Sequence, residues 1–222
     1  MHHALGDPTR LAVVDALAFG EASPTELQTL LAIPSNLLAH HVRALVKAGL
    51  IRRTRSEGDR RRTYLGLIPG ALDQQATTTG RDARRVVFVC TQNSARSPLA
   101  AAIWNAHSGD DGVQATSAGT RPAAAVHPGA LAAAHRHDVP LRPRPPRHVA
   151  EVVQPADLVI TVCDAAHEEL DRCSAHWSIP DPAGSGGSAA DDPTAFDRAV
   201  VDLTGRIHRL APTVRPTGER SA

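Results

Sequence analysis

Along the first fifty residues apolar positions return at helical spacing, and after Gly49 that spacing gives way to short strand-like runs. The stretch HALGDPTRLAVVDALAFG carries Leu11, Val14, Leu17 and Ala18 on one helical face, with Asp7 as N-cap and Pro8 at the first helical position, and predicts a first helix. Ser23-Pro24-Thr25-Glu26 has the spacing at which a serine hydroxyl and a glutamate carboxylate each accept a backbone amide, and predicts a shorter second helix through ELQTLLAI. NLLAHHVRALVKAGL predicts a third, with Leu37, Leu38, Val42, Leu45 and Val46 as its apolar stripe and Gly49 as its stop. Residues 50–55 and 62–67 then read as two strands joined by Ser56-Glu57-Gly58-Asp59. Two helices joined by a tight turn and followed by a hairpin predict an N-terminal α+β winged helix-turn-helix over residues 1–68.

Residues 69–84, PGALDQQATTTGRDAR, lose the apolar period to Pro, Gly, Gln and Thr and read as a linker. Arg85-Val86-Val87-Phe88-Val89 then forms the largely apolar run expected of a parallel strand buried on both faces, with Cys90 at its carboxyl end. A polar loop, Thr91 to Ser97, leads into a helix predicted to begin at Pro98. A second apolar run, ADLVITVCD, ends at Cys163. These signals predict a C-terminal α/β domain with a buried parallel strand. The stretch 184–192 is predicted to be a mobile loop and 213–222 a disordered tail, because both are poor in core-forming residues.

Composition narrows the class. The chain has 222 residues, 42% of them apolar, enough to bury two small cores. No apolar run approaches the roughly 18 residues a membrane span needs, and three cysteines in a chain of this length are not a disulfide framework. The expectation is a soluble, cytoplasmic protein with reduced thiols and no membrane partner. A net charge of +1 conceals a local basic patch: Arg43, Lys47, Arg52, Arg53, Arg55, Arg60, Arg61 and Arg62 face only Glu57 and Asp59. His40 and His41 are adjacent on a helix, point in different directions and do not suit one ion, so no metal site is predicted.

GDPTRL, LLAHHVRALVKAGLI and the RRTY strand resemble the arsenic- and metal-responsive winged-helix repressors of the ArsR type, over residues 3–68. The resemblance implies a homodimer on operator DNA. It also implies that the third helix enters the major groove, bringing Ser35, Asn36, His40 and Arg43 to bases or backbone, with Arg60, Arg61 and Arg62 on phosphates. Many such repressors carry a Cys-x-Cys arsenite site where this chain has Glu21-Ala22-Ser23-Pro24-Thr25, and residues 1–85 contain no cysteine. The first domain therefore has no thiolate of its own for arsenite.

In open α/β sheets ligands bind outside the carboxyl ends of the strands. A run of amides from Thr91, Gln92, Asn93, Ser94, Ala95, Arg96 and Ser97 at a helix N-terminus suits an oxyanion, and the planar fork of Arg96 adds two parallel donors for phosphate or arsenate. The same donors favour a thiolate at Cys90. CTQNSARS, together with Ser117-Ala118-Gly119-Thr120, His127-Pro128, ADLVITVCD and HWSIPDPA, resembles the low-molecular-weight phosphotyrosine phosphatase fold and specifically its arsenate reductase branch, which implies a domain over residues 85–212 with a small parallel sheet flanked by helices.

That resemblance makes Cys90 the nucleophile, Arg96 and the loop amides the oxyanion holders, and Asn93 and Ser97 supports of the thiolate. It makes Asp181 the general acid, a contribution of roughly 10²- to 10⁴-fold. It also implies a relay in which Cys163 displaces arsenite by forming a disulfide with Cys90 and a third thiol carries the disulfide outward. The third thiol of that family lies seven positions after the second, which here is Leu170, whereas this chain has Cys173. Cys173 serves if residues 164–172 loop out; otherwise mycothiol or glutathione takes its part in place of a thioredoxin-linked relay. No tightly bound cofactor is implied.

The leading expectation is a bifunctional chain, an ArsR-type DNA-binding domain followed by an arsenate reductase. Two alternatives stand beside it. One is a transcriptional regulator whose second domain only senses arsenite or an oxyanion. The other is a protein-tyrosine phosphatase joined to a DNA-binding module, against which Asp181-Pro182-Ala183 lacks the aromatic residue that phosphatases often place next.

Overall fold

The computed structural model describes residues 2–71, 80–184 and 192–217. The chain forms two compact units, Met1–Thr78 and Thr79–Ala222.

In the first unit, α1 (His2–Leu5) leads into α2 (Pro8–Leu17), where Asp7 caps the helix by accepting from the Arg10 amide at 3.0 Å. The capping box forms at α3 (Pro24–Leu31): the Glu26 amide donates to Ser23 Oγ, and Glu26 accepts the Ser23 amide at 2.6 Å. α4 (Ser35–Lys47) follows, then β1 (Ile51–Arg55) and β2 (Thr63–Leu67), an antiparallel wing in which Ile51 pairs with Leu67 and Arg55 with Thr63. Ala22 bridges to Leu65, so the chain before α3 extends the wing by one pairing. Val13, Val14, Leu17, Leu27, Leu38, Val42, Leu45 and Leu65 form the core. Leu11, Leu37 and Val46, expected on the buried stripes, are exposed. The core is small, and Val13 of α2 and Leu50 just after α4 occupy it instead.

The second unit opens with an element the sequence did not announce. β3 (Arg81–Ala83), placed by sequence in the linker, pairs in parallel with β8 (Val214–Pro216), placed in the tail. Arg-Asp-Ala and Val-Arg-Pro carry no apolar alternation, and only Ala83 is buried, so the pairing rests on backbone hydrogen bonds that periodicity does not report. Most of the linker, 72–79, most of the 184–192 loop and the end of the tail, 218–222, lie outside the described residues. Asp192, expected in that loop, instead caps the last helix, accepting from the Thr194 amide.

The central sheet has β4 (Arg85–Cys90), β5 (Ala115–Gly119), β6 (Asp157–Thr161) and β7 (Ala175–His176) in the order β5-β4-β6-β7, all parallel. Five successive residues of β4, Val86 to Cys90, are buried, as a strand covered on both faces requires. α5 (Arg96–Ser108) packs on β4 and β5, and α9 (Pro193–Leu210) packs on α5 and on α6 (Pro128–Arg136). α7 (Val149–Val152) precedes β6, and α8 (Asp164–Glu169) lies on β4 and β6. Phe88 of β4 sits between Trp104 and Trp177, with ring centroids 5.9 and 5.6 Å away. At the opposite end of the sheet from Cys90, Arg85 closes on the buried Asp157 at 2.6 Å and tethers the starts of β4 and β6. The carboxyl ends of β4 and β6 thereby bring Cys90 and Cys163 to one edge.

Candidate functional site

The loop after β4 is fixed from outside. The amides of Thr120, Arg121, Ala123 and His127 donate to the carbonyls of Cys90, Thr91, Gln92 and Ser94, respectively, at 2.8–3.2 Å. These four bonds hold the loop's carbonyls toward the chain after β5. Asn93 adopts a left-handed conformation, φ 50°, and its amide donates to Cys90 Sγ at 3.2 Å. Gly119 makes the close approach possible: a Cβ there would stand 2.8 Å from the Thr91 carbonyl and 2.9 Å from the Asn93 amide.

A buried hydrogen-bond chain supports the sulfur. Ser97 Oγ lies 3.1 Å from Cys90 Sγ, accepts from Asn93 Nδ2 at 3.0 Å, and lies 3.2 Å from the Ala118 carbonyl. Asn93 Oδ1 accepts the Arg147 amide at 3.0 Å, a partner 54 residues away that no local pattern announces. α5 begins at Arg96, two residues before the predicted start, with Ala95 as an N-cap whose side chain caps nothing. At a helix N-terminus without a side-chain cap, an anion is favoured by the first amides and the helix dipole together.

Arg96 is nearly buried. Its Nη1 donates to the Ile179 carbonyl at 3.1 Å and its Nη2 lies 3.4 Å from Asp181 Oδ2. It thus links the loop to the Asp181-Pro182 turn. Thr91 Oγ1 reaches Cys163 Sγ at 3.4 Å. Burial, above all, pushes the Cys163 thiol above its ordinary value; the charge of Cys90 adds to this, while Arg96 and the Thr91 hydroxyl pull the other way. Cys90, Thr91, Asn93, Arg96, Ser97, Cys163 and Asp181 are thus gathered at one place. Gln92 is exposed and accepts from the Ser94 hydroxyl; Ala95 contributes backbone only.

Cys173 stands elsewhere. It is partly exposed, with Sγ 3.2 Å from His167 Nδ1. His167 belongs to a polar group that sequence reasoning missed, comprising Thr161, Asp164, His167 and His176. His176 lay within the quoted HWSIPDPA stretch, but its partners are side chains from α8 and β6, which no local pattern joins.

In the first unit Ser35, Asn36, His40 and Arg43 are all exposed on α4, and Asn36, His40 and Arg43 follow i, i+4, i+7 spacing along one face. Arg60, Arg61 and Arg62 are exposed in the wing turn. Arg61 already holds a two-point ion pair with Asp59, both contacts at 3.0 Å, which keeps that carboxyl below the usual carboxylate range. Among the described residues no cluster suited to a metal ion occurs, and no helix is long and apolar enough to cross a membrane.

Residues 85–216 match the family model for low molecular weight phosphotyrosine protein phosphatase, and residues 5–54 match one for a helix-turn-helix domain. An arsenate reductase of Bacillus licheniformis is 31% identical over 144 residues, spanning 59% of this chain and 96% of that protein. An arsenate reductase of Halalkalibacterium halodurans is 31% identical over 137 residues, spanning 58% and 95%. Among solved structures, the Erwinia amylovora tyrosine phosphatase AmsI superposes with a TM-score of 0.51 at 17% identity, covering 60% of this chain and 94% of its own, a likeness of fold.

Proposed function

The chain belongs to the low molecular weight phosphotyrosine protein phosphatase family, with a helix-turn-helix domain ahead of the family's fold, and from that premise we propose that it is a DNA-binding arsenate reductase. The observation that carries the reading is a second thiol beside the nucleophile: Thr91, the residue after Cys90, touches Cys163 Sγ at 3.4 Å. A hydrolase of this fold needs one thiolate; reduction of arsenate to arsenite needs two electrons, which two thiols supply when they become a disulfide. The named arsenate reductases, each covered over most of their length, support the same reading.

Arsenate occupies the amide loop with Arg96 on its equatorial oxygens. Cys90 Sγ bonds arsenic, and one arsenate oxygen leaves as water with a proton from Asp181. Occupation of Arg96 by the oxyanion frees Asp181 from its present contact for this task. Asn93 and Ser97 hold the thiolate before attack through the hydrogen bonds described above. Cys163 then attacks Cys90 Sγ, the S–As electron pair stays on arsenic, and arsenite departs. An external thiol, thioredoxin or a small thiol such as mycothiol or glutathione, restores the dithiol. The test compares turnover of arsenate, with thioredoxin and its reductase, against hydrolysis of p-nitrophenyl phosphate. Arsenate-dependent oxidation of reductant, absent in Cys90→Ser, is expected; phosphate ester hydrolysis without it would make the second unit a phosphatase.

For the first unit the reading is operator binding by a homodimer, with α4 in the major groove and the wing on phosphates. The exposure of Asn36, His40 and Arg43 on one face of α4 supports it. Because Asp59 holds Arg61 through two contacts at 3.0 Å and Arg62 only at 3.9 Å, Arg60 and Arg62 should carry most of the wing's phosphate contact. Alanine at either one should reduce the slope of log affinity against log salt by about 1, with a smaller change for Arg61→Ala. Three unchanged slopes would remove the wing from the interface.

A further inference from the structure

Beside the active-site edge, α8 and β7 hold a group of polar side chains that the reaction as written leaves unused. Asp164 and His176 are buried, with His176 Nε2 3.0 Å from Asp164 Oδ1. His176 Nδ1 lies 3.0 Å from the fully buried Thr161 Oγ1, and that oxygen lies 3.3 Å from His167 Nδ1. The same His167 nitrogen lies 3.2 Å from Cys173 Sγ, while the two imidazole rings stack at 4.1 Å between centroids, 10° from parallel. The rings are thus clamped together, and His167 presents one nitrogen to the thiol.

Resting on the reductase reading, we propose that His167 is the positioning base for Cys173, which makes Cys173 the outgoing thiol of the relay despite its shifted place in the chain. The hydrogen-bond inventory explains why His167 can change state there. A neutral His176 that donates Nε2–H to Asp164 must accept at Nδ1, which takes the Thr161 hydroxyl proton. Thr161 then only accepts from His167, so Nδ1–H of His167 points toward both Thr161 and the sulfur, an arrangement that favours the thiolate over the weakly accepting thiol. A cationic His176 donates to Thr161 instead. Thr161 then donates to the Ala175 carbonyl, 3.4 Å away, and the Nδ1 lone pair of His167 accepts the Cys173 S–H. The titratable groups facing the pair are His176 from β7 and, behind it, Asp164; Glu168 of α8 and Asp171 and Arg172 of the following turn flank it in sequence.

The chemistry balances without a further reactant. The Cys173 proton moves to His167 Nδ1, and the thiolate attacks Cys163 Sγ of the Cys90–Cys163 disulfide. The electron pair of that bond returns to Cys90 as a thiolate, and a Cys163–Cys173 disulfide results, for reduction by an external dithiol. Cys163 is the N-cap of the six-residue α8, and Cys173 lies three residues beyond its extended C-cap Leu170, so only a short segment separates the two thiols in the chain.

The variant His167→Asn keeps an amide near the Nδ1 position but cannot take up a proton, and His167→Gln serves as a second replacement. Two readouts are made on the full chain. Alkylation of Cys173 by iodoacetamide, followed by peptide mass spectrometry from pH 6 to 10, should be about tenfold slower in both variants at pH 7 and equal to wild type at the alkaline end. In a single turnover with arsenate, arsenite release should be unchanged, while conversion of the Cys90–Cys163 bond into Cys163–Cys173 slows about tenfold. Superposable alkylation profiles would overturn the pairing of His167 with Cys173. Unchanged disulfide conversion would overturn its part in the relay. Absence of arsenite release from wild type would instead overturn the reductase reading, with the alkylation profile still reporting on the pair.

Discussion

The loop that carries Cys90 and the segment that runs from Cys163 to Cys173 are built in opposite ways. Residues 90–97 are fixed on every side: four backbone carbonyls are bound by the chain after β5, Gly119 admits the loop at van der Waals limits, and Ser97 is wholly buried beneath the sulfur. Residues 163–173 hold one six-residue helix, a buried thiol at its start and a partly exposed thiol beyond its end. The end of α8 is tied by Glu169 to Arg121 at 2.7 Å, an exposed pair of the kind worth about 0–1 kcal/mol. An attacking sulfur gains from a site that does not reorganise; a sulfur that must reach one partner and then another needs a segment that yields. The difference in construction matches the difference in task.

Cys163→Ser should have the largest effect. It leaves the oxyanion loop intact, so arsenate should still engage Cys90, yet catalytic cycling with thioredoxin should stop. Undiminished steady-state turnover would mean that an external thiol attacks Cys90 directly.

Gly119→Ala tests the rigid side. The new methyl meets the Thr91 carbonyl and the Asn93 amide below 3 Å, so the loop must shift. A displacement of this order should lower kcat/KM for arsenate by about 100-fold, with Cys173 alkylation unchanged. A parallel fall in both would show that the two segments are not separate in function.

The smallest effect lies in the alkaline stability of the second unit. Burial holds the Cys163 thiol above its ordinary 9.0, so the folded state keeps the proton that the unfolded chain gives up. Its contribution is fully present below pH 9 and is lost as pH rises from there through the raised value. Urea midpoints of wild type should therefore decline across that window more steeply than those of Cys163→Ala. Equal slopes would mean that Cys163 ionises in the folded state as it does in the unfolded chain.

What the sequence made legible follows the same division. The candidate oxyanion site is eight consecutive residues, from Cys90 at the end of β4 to Ser97 in the first turn of α5, so spacing pointed to Cys90, Arg96 and the loop amides, while the supporting role of Ser97 came from the family resemblance. The caps at Asp7 and at Ser23 with Glu26 were legible for the same local reason, and both form as expected. The Asp164–His176–Thr161–His167–Cys173 group draws on β6, α8 and β7, and its members are brought together by strand pairing of Thr161 with His176. Nothing in 157–176 read linearly announces that register. The β3–β8 ribbon was missed because its two halves lie more than a hundred residues apart and carry almost no apolar residues. Leu11, Leu37 and Val46 fit a helical period yet stand exposed, since a period marks a face without stating how wide a stripe the small core can cover.

In the proposed reaction Cys90 and Cys163 supply the two electrons that convert arsenate to arsenite. The most direct measurement is one turnover of the fully reduced chain with arsenate and no external thiol, quantifying arsenite and mapping disulfides by mass spectrometry after rapid acid quenching. The expected result is about one arsenite per chain, in step with a Cys90–Cys163 bond at the earliest times and Cys163–Cys173 later, and no arsenite from Cys90→Ser. Arsenite formed without a bond between Cys90 and Cys163, or a first bond between Cys90 and Cys173, would contradict the account.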